Sequence, residues 1–308
     1  MRIAVMGTGG VGGYFGAKLA RAGNDVTFIA RGAHLAAIRE HGLRVESAAG
    51  DMVLPNVTAT DDVSSLAPVD VVMFCVKLWD VERGATQIAP LVERGGVVIP
   101  FQNGIDSVDI LTRAVGGDRV LGGVAYIAAS IRSPGVIAHV GTMARLRVGA
   151  FGDAGPAARA QAFVDACTAA GVNAEHTPDI QGALWEKFVF LNALSGLTGL
   201  ARQPLGIIRA DPELRATFEA SMRETVAVAR SQRVVLPDDF IARQLRALDS
   251  LPAEMRSSML NDLVAGHRLE APWLCGRVAQ MAASAGIAAP VNATVYAALK
   301  PYLSGPAH

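Results

Sequence analysis

The sequence carries no surplus of either charge, with 28 Lys and Arg set against 28 Asp and Glu. That balance argues against a nucleic-acid or anionic-membrane partner, both of which are held by basic patches. Long apolar runs are also missing. The longest uncharged stretch in the middle of the chain, Phe188 to Ala201, has 14 residues. It is too short to cross a bilayer and is typical of a buried helix. Cysteine is scarce: Cys75, Cys167 and Cys275 are odd in number and widely spaced, give no metal pattern and fit a reducing cytoplasm. The histidines, at 34, 41, 139, 176, 267 and 308, show no ligand spacing. Only four apolar residues separate Arg2 from the first glycines, so the start of the chain reads as a strand and not as a signal sequence. Neither an internal repeat nor a low-complexity segment is present. What remains is a 308-residue chain, 51% apolar and 18% charged, with room for two domains and a large core. A soluble cytoplasmic enzyme is the expected class.

The first strand, Arg2 to Met6, runs into Gly7-Thr8-Gly9-Gly10-Val11-Gly12-Gly13. Gly7, Gly9 and Gly12 stand at G-x-G-x-x-G spacing, for a tight turn, a close approach to a pyrophosphate and close helix–strand packing. A helical stretch from Gly13 to Ala22 follows and stops at Gly23; Val26–Ala30 then completes a β-α-β unit. The segment Gly7, Thr8, Gly9, Gly10, Val11 and Gly12 is therefore the expected phosphate cradle of a dinucleotide, set on a helix N-terminus.

Up to about residue 150, short β-rich runs alternate with helices. These runs are Gly42–Val45, Met52–Thr58, Asp70–Val76, Gly96–Pro100 and Val120–Ile127. They read as parallel strands covered on both faces. Ile137–Val140 and Arg145–Val148, linked through Gly141, read as an antiparallel addition, and Val172–Glu175 as a last strand. Beyond that the texture is helical, with Thr177-Pro178 and Asp211-Pro212 as N-cap and N1 pairs. Further helices are expected over Pro237–Ser250, Pro252–Arg268, Pro272–Ala285 and Val291–Leu299. The expected organisation is α/β: a doubly wound domain over 1–172 and an all-helical domain over 173–308.

Several polar residues stand where chemistry is expected. Arg31 directly follows the second strand with no carboxylate between Val26 and His34, which favours a ribose 2′-phosphate and hence NADPH over NADH. Lys77 ends one strand and Asn103 follows another, at the carboxyl ends where ligands bind in open parallel sheets. Lys187 lies in Leu184-Trp185-Glu186-Lys187-Phe188-Val189-Phe190, apolar on nearly every face. Desolvation there would lower its pKa toward a value useful for proton transfer, although a snorkelling or carboxylate-paired lysine fits equally. Ser257, Ser258, Asn261, Asp262 and Glu270 form a polar group whose residues serve capping and solvation as readily as binding.

Together these residues resemble the ketopantoate reductase (2-dehydropantoate 2-reductase) family over almost the whole chain. The resemblance rests on the glycine turn with Arg31, on Val76-Lys77, on Asn103-Gly104, on Leu184-Trp185-Glu186-Lys187, and on Ser257-Ser258-Met259-Leu260 with Asp262 and Glu270. It implies an N-terminal Rossmann domain, an all-α C-terminal domain and an active site between them. The implied reaction is NADPH-dependent reduction of 2-dehydropantoate to (R)-pantoate, a pantothenate and coenzyme A precursor. It makes Lys187 the proton donor to the ketone oxygen, Glu270 the residue binding the substrate hydroxyl, and Ser258 a substrate contact. Lys77 and Asn103 are implied at the cofactor–substrate junction, and Ser195 on the substrate side. The chain departs from the family pattern four and eight residues after the lysine, where Leu191 and Ser195 replace asparagines and Asn192 stands one step off. Ala271-Pro272-Trp273-Leu274-Cys275-Gly276 is also more apolar than the family norm. A same-family reductase of another 2-oxo acid is therefore the alternative, and a turnover-free NADPH sensor a more remote one. A small-molecule substrate is the expected partner; an apolar face on the C-terminal helices would permit a homodimer without demanding one.

Overall fold

The computed structural model describes residues 1–152 and 156–306, which divide into two compact units. The first comprises residues 1–102 and 106–183, the second residues 103–105 and 184–308.

In the first unit five strands form a wholly parallel sheet in the order β5-β2-β1-β6-β7. They are β1 (Arg2–Met6), β2 (Asp25–Ile29), β5 (Thr58–Thr60), β6 (Val71–Phe74) and β7 (Val97–Pro100). Ile3, Ala4, Val5, Val71, Val72 and Met73 are fully buried, as strands covered on both faces require. Helices α1 (Gly10–Arg21), α2 (Gly32–His41), α3 (Val81–Val92), α4 (Ser107–Val115) and α5 (Ala157–Ala169) alternate with strands along the chain.

A second sheet departs from the sequence reading. It runs β10-β9-β3-β4, with β8 paired to β9. Its strands are β3 (Leu43–Ser47), β4 (Met52–Leu54), β8 (Leu121–Ser133), β9 (Val136–Ala150) and β10 (Asn173–His176). The run Met52–Thr58 was expected to be one strand. Instead it splits at Pro55: β4 pairs antiparallel with β3, and β5 joins the other sheet. The antiparallel hairpin also does not turn at Gly141. Residues 137–140 and 145–148 belong to the single long strand β9, and β8 is its partner. Residues 140–143 drop out of the pairing, since Ile127 faces Ala144 while Ala129 faces His139. This is a bulge of the kind that bends and twists a strand.

Because β10 pairs in parallel with β9, residues 173–183 stay with the first unit, and the division falls after Ala183 instead of after residue 172. The second unit is built of α6 (Ile180–Ala201) from Leu184 onward, α7 (Leu205–Ala210), α8 (Pro212–Ser231), α9 (Phe240–Ser250), α10 (Ser258–Val264), α11 (Cys275–Ser284) and α12 (Pro290–Leu299). Asp211 caps α8 as expected, accepting from the Glu213 and Leu214 N–H groups. Thr177 does not cap α6; Asp179 accepts from Gly182 N–H and starts the helix two residues later. The helix expected over Pro252–Arg268 shrinks to α10, whose N-cap is Ser257.

The long helix α6 organises this second core. Phe188, Val189, Ala193, Leu194 and Leu197 are buried, each large side chain contributing about 1.5–3 kcal/mol. Trp185 meets Phe188 edge-on with ring centroids 5.6 Å apart. Asn192 is wholly buried and donates to Thr225 Oγ1 at 3.1 Å and to Asn292 Oδ1 at 2.6 Å, tying α6 to α8 and α12. Glu224 accepts from the Val291 and Asn292 N–H groups, placing a carboxylate on the positive end of α12.

Candidate active site

The glycine turn after β1 has the form the spacing predicted, and each glycine meets a different demand. Gly7 has φ +97°, open to glycine at no steric cost, and any Cβ there would press on the Cys75–Val76 backbone at 2.8 Å. A Cβ on Gly12 would strike the Gly7 carbonyl and Val5, so this residue lets α1 sit close to the sheet. At Gly9 the Cβ position faces open space, with nothing within 4 Å. The first intrahelical bond runs from Gly13 N to Gly9 O at 2.7 Å, so the N–H groups of Gly10, Val11 and Gly12 precede the helical ladder. Open space over Gly9 beside those donors fits a dinucleotide pyrophosphate.

Thr8 and Gly10 have clear architectural duties in the same turn. Thr8 spends both its N–H and its hydroxyl on Ile29 O, at 3.1 and 3.0 Å. The Gly10 Cβ position is filled by the Ala129 backbone, and that of Gly13 lies 2.7 Å from Ile137. The β8–β9 hairpin therefore rests on the first turn of α1. His34, unassigned from sequence, completes this brace. Its Nε2 donates to Thr8 O at 2.8 Å and its Nδ1 accepts from Gly135 N–H at 3.0 Å, which requires the neutral ring. Burial lowers its pKa, in keeping with that state.

Arg31 is 63% exposed at the end of β2 and is not alone. Its Nη2 donates to Asp80 Oδ2 at 2.6 Å, and Arg83 Nη2 donates to Asp80 Oδ1 at 3.2 Å. Sequence reasoning missed Asp80 and Arg83 because they lie about fifty residues from Arg31. Lys77 is exposed after β6, with its ammonium over the Trp79 ring at 5.4 Å. Gln102 ties the ends of this region together, donating to Phe74 O and Val76 O at 2.9 and 3.2 Å.

Within the second unit, Lys187 and Asn103 come together. Lysine is rare in this chain, which has only Lys18, Lys77, Lys187 and Lys300. Lys187 Nζ donates to Asn103 Oδ1 at 3.0 Å. Part of the side chain remains exposed, yet the ammonium is enclosed by protein. Desolvation brings its pKa down to about 8, and the Glu270 carboxylate opposes that shift. Glu270 itself is buried. An ammonium bonded to an amide oxygen, within the field of a buried carboxylate and with its pKa lowered to about 8, is suited to giving up a proton.

Leu191 and Ser195 continue the Lys187 face of α6 at four-residue steps. Ser195 is buried and Leu191 partly exposed. Ser258 is exposed at the first position of α10. Its neighbour Ser257 provides the cap and bonds Thr198 at 2.7 Å, three turns along α6 from Lys187. Cys275 packs in the helical core with its thiol pushed up to about 12 by burial, so it is a filler of that core. Among the described residues no group of three or more His, Cys, Asp or Glu could hold a metal, and no helix is long and apolar enough to cross a membrane.

A parallel sheet ending in a glycine cradle, with a separate helical unit carrying a depressed lysine, defines a dinucleotide-dependent oxidoreductase class. Residues 3–153 match the model of ketopantoate reductase PanE/ApbA, and residues 179–303 match that of the ketopantoate reductase PanE/ApbA C terminal. The chain belongs to the ketopantoate reductase family. It is 32% identical over 300 residues to a 2-dehydropantoate 2-reductase of Halobacterium salinarum, covering 96% of each chain. It is 31% identical over 305 residues to an uncharacterized oxidoreductase, YkpB, of Bacillus subtilis, covering 98% of this chain and 99% of that one. Among solved structures, a PanE/ApbA family ketopantoate reductase from Ralstonia eutropha superposes with a TM-score of 0.89 at 32% identity, covering 98% of both chains.

Proposed function

We propose that this protein reduces 2-dehydropantoate to (R)-pantoate with NADPH, using Lys187 as the proton donor. The observation that carries the reading is the Lys187 ammonium, bonded to Asn103 at 3.0 Å, opposed by Glu270 and lowered to about pKa 8. A bound dinucleotide supplies hydride to the ketone carbon. This chain's residues do the rest. An alkoxide developing at the ketone oxygen needs a transferable proton or nearby positive charge, and Lys187 offers both. Asn103 accepts a hydrogen bond from one ammonium N–H and so fixes the direction of the others. Glu270, buried, holds the ammonium in its charged form before transfer and accepts from the substrate hydroxyl. Gly9 gives the pyrophosphate room, and Arg31 is the cation available to a 2′-phosphate.

A second reading within the same family is favoured by Leu191, which stands one turn from Lys187 on the same face, where many family members carry asparagine. It would suit a more apolar 2-oxo acid. Steady-state assays with 2-dehydropantoate, 2-oxoisovalerate, 2-oxoisocaproate and pyruvate separate the two. A site built to bond a hydroxyl rejects analogues lacking it, because its own polar groups are left unpaired. 2-Dehydropantoate should lead the panel by a wide margin. A preference for 2-oxoisovalerate would establish the second reading.

A further inference from the structure

In the parallel sheet β1 lies between β2 and β6, so the loops after β2 and β6 flank the glycine turn on either side. Arg31 stands on one loop and Asp80 on the other, and they meet in a 2.6 Å ion pair. Asp80 is the more enclosed partner, its side chain 17% exposed against 63% for Arg31, and Arg83 holds its second oxygen at 3.2 Å. We infer that Asp80 sets the choice between NADPH and NADH, working against the 2′-phosphate that Arg31 attracts and for an unphosphorylated ribose. The inference rests on the proposed dinucleotide site.

A dinucleotide with its pyrophosphate on the N-terminus of α1 lays its adenosine ribose against the end of β2. A 2′-phosphate arriving there must take Arg31 from a carboxylate that already holds it, and must approach that carboxylate as a like charge. A free 2′-hydroxyl meets the opposite situation. The two Asp80 oxygens present about four lone-pair sites, and the guanidinium bonds occupy two of them. A ribose hydroxyl can donate to the remainder without displacing either arginine. Sequence alone places only Arg31 here and so overstates the preference for NADPH.

The test is fluorescence titration of NADPH and NADH into the full-length wild-type protein and the Asp80→Asn variant at low salt, with thermal melting to verify folding. Asparagine keeps the shape and removes the charge. The NADPH dissociation constant should fall and the NADH constant rise, moving their ratio by about tenfold. The complementary Arg31→Ala variant leaves the carboxylate without its Arg31 partner and should move the ratio the other way. Unchanged ratios in both variants, or weaker NADPH binding by Asp80→Asn, would overturn the assignment of Asp80 while leaving the dinucleotide site intact. Failure of the wild type to bind either dinucleotide would overturn the site and this inference together.

Discussion

Lys187 on α6 donates to the side-chain oxygen of Asn103, 84 residues earlier in the chain, across 3.0 Å. The bond consumes one of three ammonium protons and aims the other two. A neutral hydrogen bond contributes about 0.5–1.5 kcal/mol and one to a charged group about 1.5–3.

Losing that orientation should therefore slow turnover. Asn103→Ala is expected to lower kcat by roughly ten- to a hundredfold if the full charged-bond value is spent in the transition state. Dinucleotide affinity, read by fluorescence, should change by less than about threefold. Asn103→Asp should raise the Lys187 pKa by adding a negative charge at the ammonium. An unaltered alkaline limb in that variant would mean the bond does not bear on proton transfer.

The depressed lysine sets two opposite slopes with pH. Lys187 must be protonated to act as an acid, so kcat/KM for reduction should fall as pH rises through about 8. Its contribution to stability runs the other way. With a folded pKa near 8 and an ordinary value of 10.5, the unfolded chain binds more protons between them, so stability rises with pH across that window. Glu270 opposes the depression, so Glu270→Gln should move the alkaline limb below 8 and raise KM for the ketoacid. Rate profiles of wild type and variant, paired with melting curves of wild type and Lys187→Met between pH 8 and 10, check both signs.

Two glycines of the turn separate folding from binding. Gly9→Ala adds a methyl to open space and should leave the melting temperature nearly unchanged, while dinucleotide affinity should fall steeply because the methyl would occupy the proposed phosphate position. Gly10→Ala drives its methyl into the Ala129 backbone and should destabilise by about 1–3 kcal/mol. Equal affinity losses at both positions, tracking stability, would contradict the cradle.

Much of the fold was legible because its signals are local. The glycine spacing, the buried Val71–Phe74 and Val97–Pro100 strands and the Asp211-Pro212 cap each lie within a few residues of what they determine. The second sheet was not legible, because β3 and β4 owe their place to β9, about ninety residues on. Gly141 resembled a hairpin turn, yet it sits in a bulge, and the true turn is at residues 134–135. In the site, Lys187 could be singled out from its apolar helix, and Asn103 from its place after a strand. Their bond, the Asp80 pair to Arg31 and the His34 brace are meetings of residues distant in sequence, for which no spacing gives a sign. Cys275 packs in the helical core, as its apolar neighbours suggest.

The central claim is that Lys187 protonates the forming alkoxide, and single-turnover kinetics of Lys187→Ala test it most directly. General acid catalysis contributes about 10²–10⁴-fold. The folded variant, loaded with NADPH and given its best 2-oxo acid, should oxidise the cofactor at least a hundredfold more slowly, with NADPH affinity nearly unchanged. A folded Lys187→Ala protein that oxidises NADPH at close to the wild-type rate would contradict the account.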